Sequence, residues 1–342
     1  MKKVLVLYRE LAGYFLACLE EFCLEQNAIA DVVAYPIHSD APFHFQHSDR
    51  IRIHSRHSLS NDELVSMIKN NGYHVVFTGG WFDKGYLHAL RAKQCPAVLA
   101  FDNAWRGTFK QQLSVLYGEY FIRPLFNFAF VPGKKQVQLA RKLGFHEQQI
   151  LTGVYACDYH RFSSIILQPQ AKRRLVFTGR YSDEKFVTAL FNAFHELTEK
   201  RFTQWELHCI GTGPLWNKRK QSTRIFHHGF MQPDDLLKFM PTGSAFVLPS
   251  TFEPWGVVVH EFAAAGYPMV LSNAVGAGEA FLQPGKNGYL FESGNIDSLR
   301  NALEQIMSHS DSELHEMGFH SRKLAAQITP KTWASQLAFA MG

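Results

Sequence analysis

The stretch Pro249-Ser250-Thr251-Phe252-Glu253-Pro254-Trp255-Gly256, running on into Val257-Val258-Val259-His260-Glu261-Phe262-Ala263-Ala264-Ala265-Gly266, decides how the chain is read. It follows Ala245–Leu248, an apolar run with the length and character of a buried parallel strand. The prolines and glycine predict a tight turn, and the alanine-rich segment predicts a buried helix ending at Gly266. Two carboxylates bracket that turn, Glu253 in the loop and Glu261 one turn inside the helix, with seven residues between them. The amides from Trp255 through Val257 to Val258 would point past the strand ends, where helix polarity favours an anion. Carboxylates that accept from hydroxyls, beside amides that hold phosphate, outline a nucleotide-sugar site.

Alone, two glutamates at this spacing read as a loop charge and a solvated helix residue. Strand, turn, helix, Gly266-Tyr267-Pro268 and a second strand over Met269–Ser272 in succession argue against coincidence. With Gly288–Phe291 (Gly-Tyr-Leu-Phe), these residues resemble the carboxyl-terminal signature of retaining GT-B glycosyltransferases of family four. The resemblance implies an α/β protein of two Rossmann-like domains, their doubly wound parallel sheets facing across a cleft. Residues 1–167 would form the acceptor-side domain, joined by a crossing helix over 327–342, and residues 168–326 the donor domain. The polar stretch 168–172 would be the linker.

Within the second half, Arg173–Thr178 reads as a strand, and the Gly179-Arg180 that follows it, with Lys185 five positions on, is similar to the family's diphosphate clamp. An arginine fork and a lysine point charge suit a pyrophosphate. Trp205–Ile210 is the next strand; Gly211 and Gly213 after it resemble the post-strand turn near the nucleotide. His228, Gly229 and Phe230 fall where relatives contact the base through the backbone. By the same resemblance Glu253 would hold donor sugar hydroxyls and Glu261 the ribose diol.

The amino-terminal half alternates strands (residues 4–8 and 30–37) with helical periodicity, as a parallel sheet requires. Its first loop carries one glycine, Gly13, and no G-x-G-x-x-G, which excludes a dinucleotide fingerprint there. Family members often have a Gly-Gly loop at this point that contacts sugar or acceptor. Two further strands end in Trp81, Asp83, Asp102 and Asn103, which should face the crevice beyond the strand ends. Trp81 can stack on a sugar ring or simply pack. Asp102 is the candidate for orienting the acceptor hydroxyl or accepting its proton, although it could instead cap a helix. Phe101 stands where many relatives have a histidine before this aspartate.

His38, His44, His47, His54 and His57 crowd one region, but their spacing matches no metal pattern and no metal is assigned. Between Arg106 and Lys142, basic residues interleave with aromatics; such a patch suits an anionic bilayer, while each residue singly suits a solvated face or a core.

Composition agrees with a globular protein: 342 residues, 46% hydrophobic, 19% charged, net charge +5. So small a basic excess, without a nucleic-acid module, gives no case for nucleic acid. Five dispersed cysteines, without C-x-x-C, suggest reduced thiols and a cytoplasmic setting, with contact at the inner face of a membrane as a refinement. The expected reaction moves a sugar from a UDP- or GDP-linked donor to an acceptor sugar hydroxyl, the acceptor carried on a lipid in one version. Surface polysaccharide or O-antigen assembly is the setting the resemblance implies. Arg180, Lys185, Glu253 and Asp102 would carry the chemistry, with no cofactor and no metal. A sugar-nucleotide epimerase or hydrolase, or a non-catalytic binding subunit, are the alternatives; products formed from donor alone, or their absence, discriminate.

Overall fold

Runs of three to seven residues, most of them apolar, become the strands of two parallel sheets in the computed structural model, which describes residues 1–37, 42–168 and 172–342. His38 and the linker residues Pro169, Gln170 and Ala171 lie outside the described residues.

The chain divides into two units, Met1–Ala156 with Ile328–Gly342, and Cys157–Gln327. In the first, the elements run β1 (Lys2–Leu7), α1 (Gly13–Glu25), β2 (Ala28–Ala34), β3 (Ile51–Ser55), α2 (Asn61–Asn70), β4 (Val75–Gly79), α3 (Lys84–Ala89), β5 (Ala97–Ala100), α4 (Phe109–Tyr117), β6 (Phe128–Val131), α5 (Lys134–Lys142) and β7 (Ile150–Thr152). The sheet order is β3-β2-β1-β4-β5-β6-β7, with every pair parallel. Helices cover both faces, so Val4 to Leu7 are wholly buried, as continuous apolar strands of a parallel sheet should be.

The second unit contains α6 (Tyr159–Ser163), β8 (Arg173–Thr178), α7 (Val187–Lys200), β9 (Trp205–Ile210), β10 (Ile225–Gly229), α8 (Pro233–Phe239), β11 (Ala245–Leu248), α9 (Val257–Ala264), β12 (Met269–Ser272), α10 (Gly278–Phe281), β13 (Gly288–Phe291), α11 (Ile296–Ser308) and α12 (Asp311–Ala325). Its sheet order is β10-β9-β8-β11-β12-β13, again all parallel. The last helix, α13 (Pro330–Phe339), returns to the first unit. Thr329 caps it, and Trp333, 1% exposed, packs among Phe15, Phe77 and Phe130 while its Nε1 donates to the Val154 carbonyl at 3.0 Å. Burial of a side chain that size contributes about 3 kcal/mol, enough to fix a short terminal helix.

Two local departures have simple causes. The strand expected over 30–37 stops at Ala34, because Tyr35 donates to the Arg9 carbonyl and Pro36 has no N–H to extend the ladder. The edge strand β3 was not foreseen, since Arg52 and His54 interrupt its apolar pattern. It brings His54 within 3.4 Å of Asp31 on β2, an acidic partner absent from the local sequence.

Each sheet reverses its order once, between β1 and β4 in the first unit and between β8 and β11 in the second. Loops leaving adjacent strands in opposite directions open a crevice there, where open α/β sheets bind ligands.

Candidate functional site

In the second unit, the loops after β8 and β11 leave the sheet side by side. Thr251 donates its N–H (2.7 Å) and its hydroxyl (3.2 Å) to the Glu184 carbonyl, tying the Glu253 loop to the Arg180–Lys185 loop. The Lys185 ammonium donates to Glu253 Oε2, which also accepts from Ser250 Oγ at 3.4 Å. The lysine and the loop carboxylate, 68 residues apart in sequence, are thus directly paired, both mostly screened from solvent.

The glycines explain why these loops come so close. A Cβ at Gly211 would lie 2.1 Å from the Gly179 carbonyl oxygen, and Gly211 has φ +127°. Only glycine satisfies both demands. Lys185 Cδ passes 3.8 Å from the place of a Gly179 Cβ, and Arg180 Cγ passes 2.9 Å from that of Gly213. Backbone bonds from Gly179 to the Ile210 carbonyl, Tyr181 to Thr212 and Gly211 to Gly229 lock the ends of β8, β9 and β10 together. Gly179, Arg180, Lys185, Gly211, Gly213, Gly229 and Glu253 therefore share one rim.

Gly256, at φ +94°, turns the chain into α9, with Val257 as its first residue. Trp255 is 2% exposed and packs edge-on against Phe281, so it anchors the turn from beneath. The loop that follows β12, which carried no weight in the sequence reading, holds the turn from above: Gly276 N–H donates to the Glu253 carbonyl at 3.0 Å, and Ala277 N–H to that of Trp255 at 2.9 Å.

Glu261 is half-buried, and burial with the nearby Asp158 carboxylate pushes its pKa up from 4.5 to about 7. Its backbone carbonyl accepts from the Ala265 N–H at 3.0 Å near the end of α9. A carboxylate whose charge is disfavoured by burial gains from a hydroxyl donor. His228 is exposed; its Nε2 lies 2.9 Å from His208 Nδ1, and His208 Nε2 lies 3.2 Å from Glu206. Burial lowers the pKa of His208 to about 4, and Phe230 is half-buried beside this strand end.

In the first unit a cavity of about 480 Å³ sits where β1, β4 and β5 end. Trp81, Asp102 and Asn103 line it, together with Arg9, Gly80 and Phe82; Gln111, Ser114 and Val115 of α4 wall its far side. Arg9 lies over the Phe82 ring at 5.4 Å. Asp102 caps no helix, because α4 begins only at Phe109, with Thr108 as its cap. Burial, with Tyr14 and the Asp102 carboxylate nearby, instead pushes the Tyr155 phenol pKa up, and Gln136 Nε2 donates to the Asp102 carbonyl at 2.9 Å.

Two acceptor-side expectations meet a different geometry. Asp83 does not face the crevice: it is 9% exposed, caps α3 through the N–H groups of Gly85 (2.6 Å) and Tyr86 (3.2 Å), and accepts from Arg56 and Tyr35 at 2.8 Å each. Burial opposes its charge, but the Arg56 and Tyr35 bonds hold its carboxyl below the usual range. Gly13 opens α1 against Phe45, 3.2 Å from where a Cβ would sit, and is not among the residues lining the cavity. Arg9 and Tyr155 were missed because a lone arginine and a lone tyrosine carry no motif.

Two parallel α/β units, each a doubly wound sheet with its own switch point, are the GT-B fold. Residues 160–323, nearly all of the second unit and just under half of the chain, match the family model described as Glycosyl transferases group 1. The chain is 24% identical over 199 residues to lipopolysaccharide 1,6-galactosyltransferase of Salmonella typhimurium, covering 52% of this chain and 54% of the relative. The chain spans only 27% to 54% of the lengths of such curated relatives. A glycosyltransferase from Rickettsia africae superposes with TM-score 0.78 at 11% identity, over 98% of this chain and 97% of that one. HepE of Anabaena, solved with UDP-glucose, superposes with TM-score 0.72 at 15% identity, over 99% and 98%.

Proposed function

We propose that the protein transfers a sugar from a nucleoside-diphosphate sugar to an acceptor hydroxyl with retention of anomeric configuration. The observation that carries this reading is the Lys185–Glu253 pair on a glycine-built rim that also presents Arg180. An ammonium already neutralised by a carboxylate is a poised site: incoming diphosphate takes the cation, and the released carboxylate accepts from sugar hydroxyls.

As the glycosidic C–O bond breaks, negative charge builds on the departing β-phosphate. Arg180, Lys185 and the amides opening α9 meet that charge, each charge-assisted bond contributing about 1.5–3 kcal/mol and the helix terminus about 0.3–1. The cations therefore outweigh the dipole, and transfer is expected to persist in chelator. Glu261 would accept from the ribose diol. Attack from the front face, with the leaving phosphate taking the acceptor proton, accounts for retention without a nucleophile. Asp102, its backbone held by Gln136, would orient the acceptor hydroxyl in the cavity of the first unit. UDP is the nucleotide to try first, since HepE was solved with UDP-glucose. A lipid-linked acceptor at the cytoplasmic face of a membrane, in surface polysaccharide assembly, suits the likeness to the lipopolysaccharide galactosyltransferase.

The test is incubation of the full chain with UDP-glucose, UDP-galactose and their GDP counterparts, with and without lipid-linked glycan acceptors. Acceptor-dependent release of nucleoside diphosphate, and a product anomer matching the donor by NMR, supports transfer. Turnover with donor alone would mean a hydrolase or epimerase, and an inverted anomer would remove retention.

A further inference from the structure

Helix α4 has two working faces. Gln111, Ser114 and Val115 turn inward to the acceptor-side cavity. Phe109, Leu113, Leu116, Tyr117, Tyr120 and Phe121, spaced at three and four residues along α4 and the π turn Gly118–Ile122, are 75%, 53%, 55%, 58%, 72% and 60% exposed. Such spacing places them on one stripe. Taking roughly 200 Å² for a full side chain of this size, the stripe exposes on the order of 700 Å². A typical monomer's largest apolar patch is about 300–600 Å². An amphipathic helix normally buries its apolar side, and α4 has no buried residue at all.

Charge decides what covers the stripe. Residues 103–142 contain seven Lys and Arg and a single acid, Glu119. Arg106, Lys110 and Lys142 are all exposed, and Lys142 lies 4.6 Å over the Trp105 ring in the loop leading into α4. A second copy docking on the same stripe would bring like charges together. An anionic bilayer gains from both features, with aromatic side chains at its interface and cations among its headgroups.

We propose that α4 and its π turn dock on an anionic membrane, so that the cavity behind the helix receives the headgroup of an amphiphilic acceptor whose lipid stays in the bilayer. The proposal rests on reading the first unit as the acceptor side. Arg9, lining that cavity, supplies a cation for a phosphate-bearing headgroup.

The test is flotation of the full chain with vesicles of phosphatidylcholine and phosphatidylglycerol (about 70:30) or phosphatidylcholine alone. Wild type should float with the anionic vesicles, less at high salt, and at least tenfold less as the Phe109→Ser/Leu113→Ser variant. Lys110→Glu should weaken flotation while leaving the apolar stripe whole. Both variants replace exposed side chains, so unchanged circular dichroism and melting are expected and show that folding is not the cause. The UDP-induced melting shift is read in parallel: its absence would sink the donor reading without touching flotation. No flotation of wild type, equal flotation of the variants, or a dimer that becomes a monomer in the double variant would overturn the proposal.

Discussion

Replacing Glu261 by glutamine should make the unliganded protein more stable, in a way that depends on pH. A pKa raised from 4.5 to about 7, with burial as the main cause and Asp158 as the second, disfavours the ionised side chain by roughly 3 kcal/mol in the folded state. The folded protein binds this proton more tightly than the unfolded chain. Stability from this group is therefore complete below about pH 4.5, is lost as pH climbs to about 7, and stays lost above. Glu261→Gln removes the titration, so the gain should be about 2–3 kcal/mol at pH 8 and about 1 kcal/mol or less at pH 5. For a unit of this size that is roughly 4–12 °C in Tm at pH 8. Thermal melts of both forms at pH 5 and pH 8, without nucleotide, read it directly. Asp158→Asn in the wild-type background should recover a smaller part of the gain. An equal Tm at pH 8, or a gain of the same size at pH 5, would refute the reasoning.

Other outcomes follow from packing and charge. Gly211→Ala forces a Cβ to 2.1 Å from the Gly179 carbonyl at φ +127°, and should cost about 3 kcal/mol or more in urea denaturation. Asp83→Asn leaves the half-buried Arg56 without its counter-charge, so it should lower stability by about 1–3 kcal/mol while nucleotide affinity holds. Asp102→Asn should lower kcat with an acceptor at least tenfold while donor KM is unchanged; a shift confined to donor KM would take Asp102 out of the acceptor site.

How far the sequence can be read depends on whether its signal is local. Strand, turn and helix around Glu253 are a continuous stretch in which Pro254, Gly256 and Gly266 punctuate the chain, and each does so in the structure. The strand that ends just before Gly179 is read from a continuous stretch in the same way. What stays hidden is the partner supplied from far away. Asp83 at a strand end looks like a crevice residue until Arg56, on another element, takes it. Asp102 looks equally like a cap until the next helix proves to start at Phe109. The apolar residues of α4 show the limit most clearly. Their spacing is that of any core-facing helix, and only the fold reveals that, among the described residues, they stay exposed.

The central claim is that one rim of the second unit grips a nucleoside diphosphate through Arg180 and Lys185. Calorimetric titration of UDP and GDP into wild type and into Arg180→Ala/Lys185→Ala tests it most directly. The account predicts saturable binding of one of them to wild type, weakened at least a hundredfold in the double variant, since two charge-assisted contacts contribute about 3 kcal/mol or more together. Equal affinity in the two proteins, or no binding of either nucleotide to wild type, would contradict it.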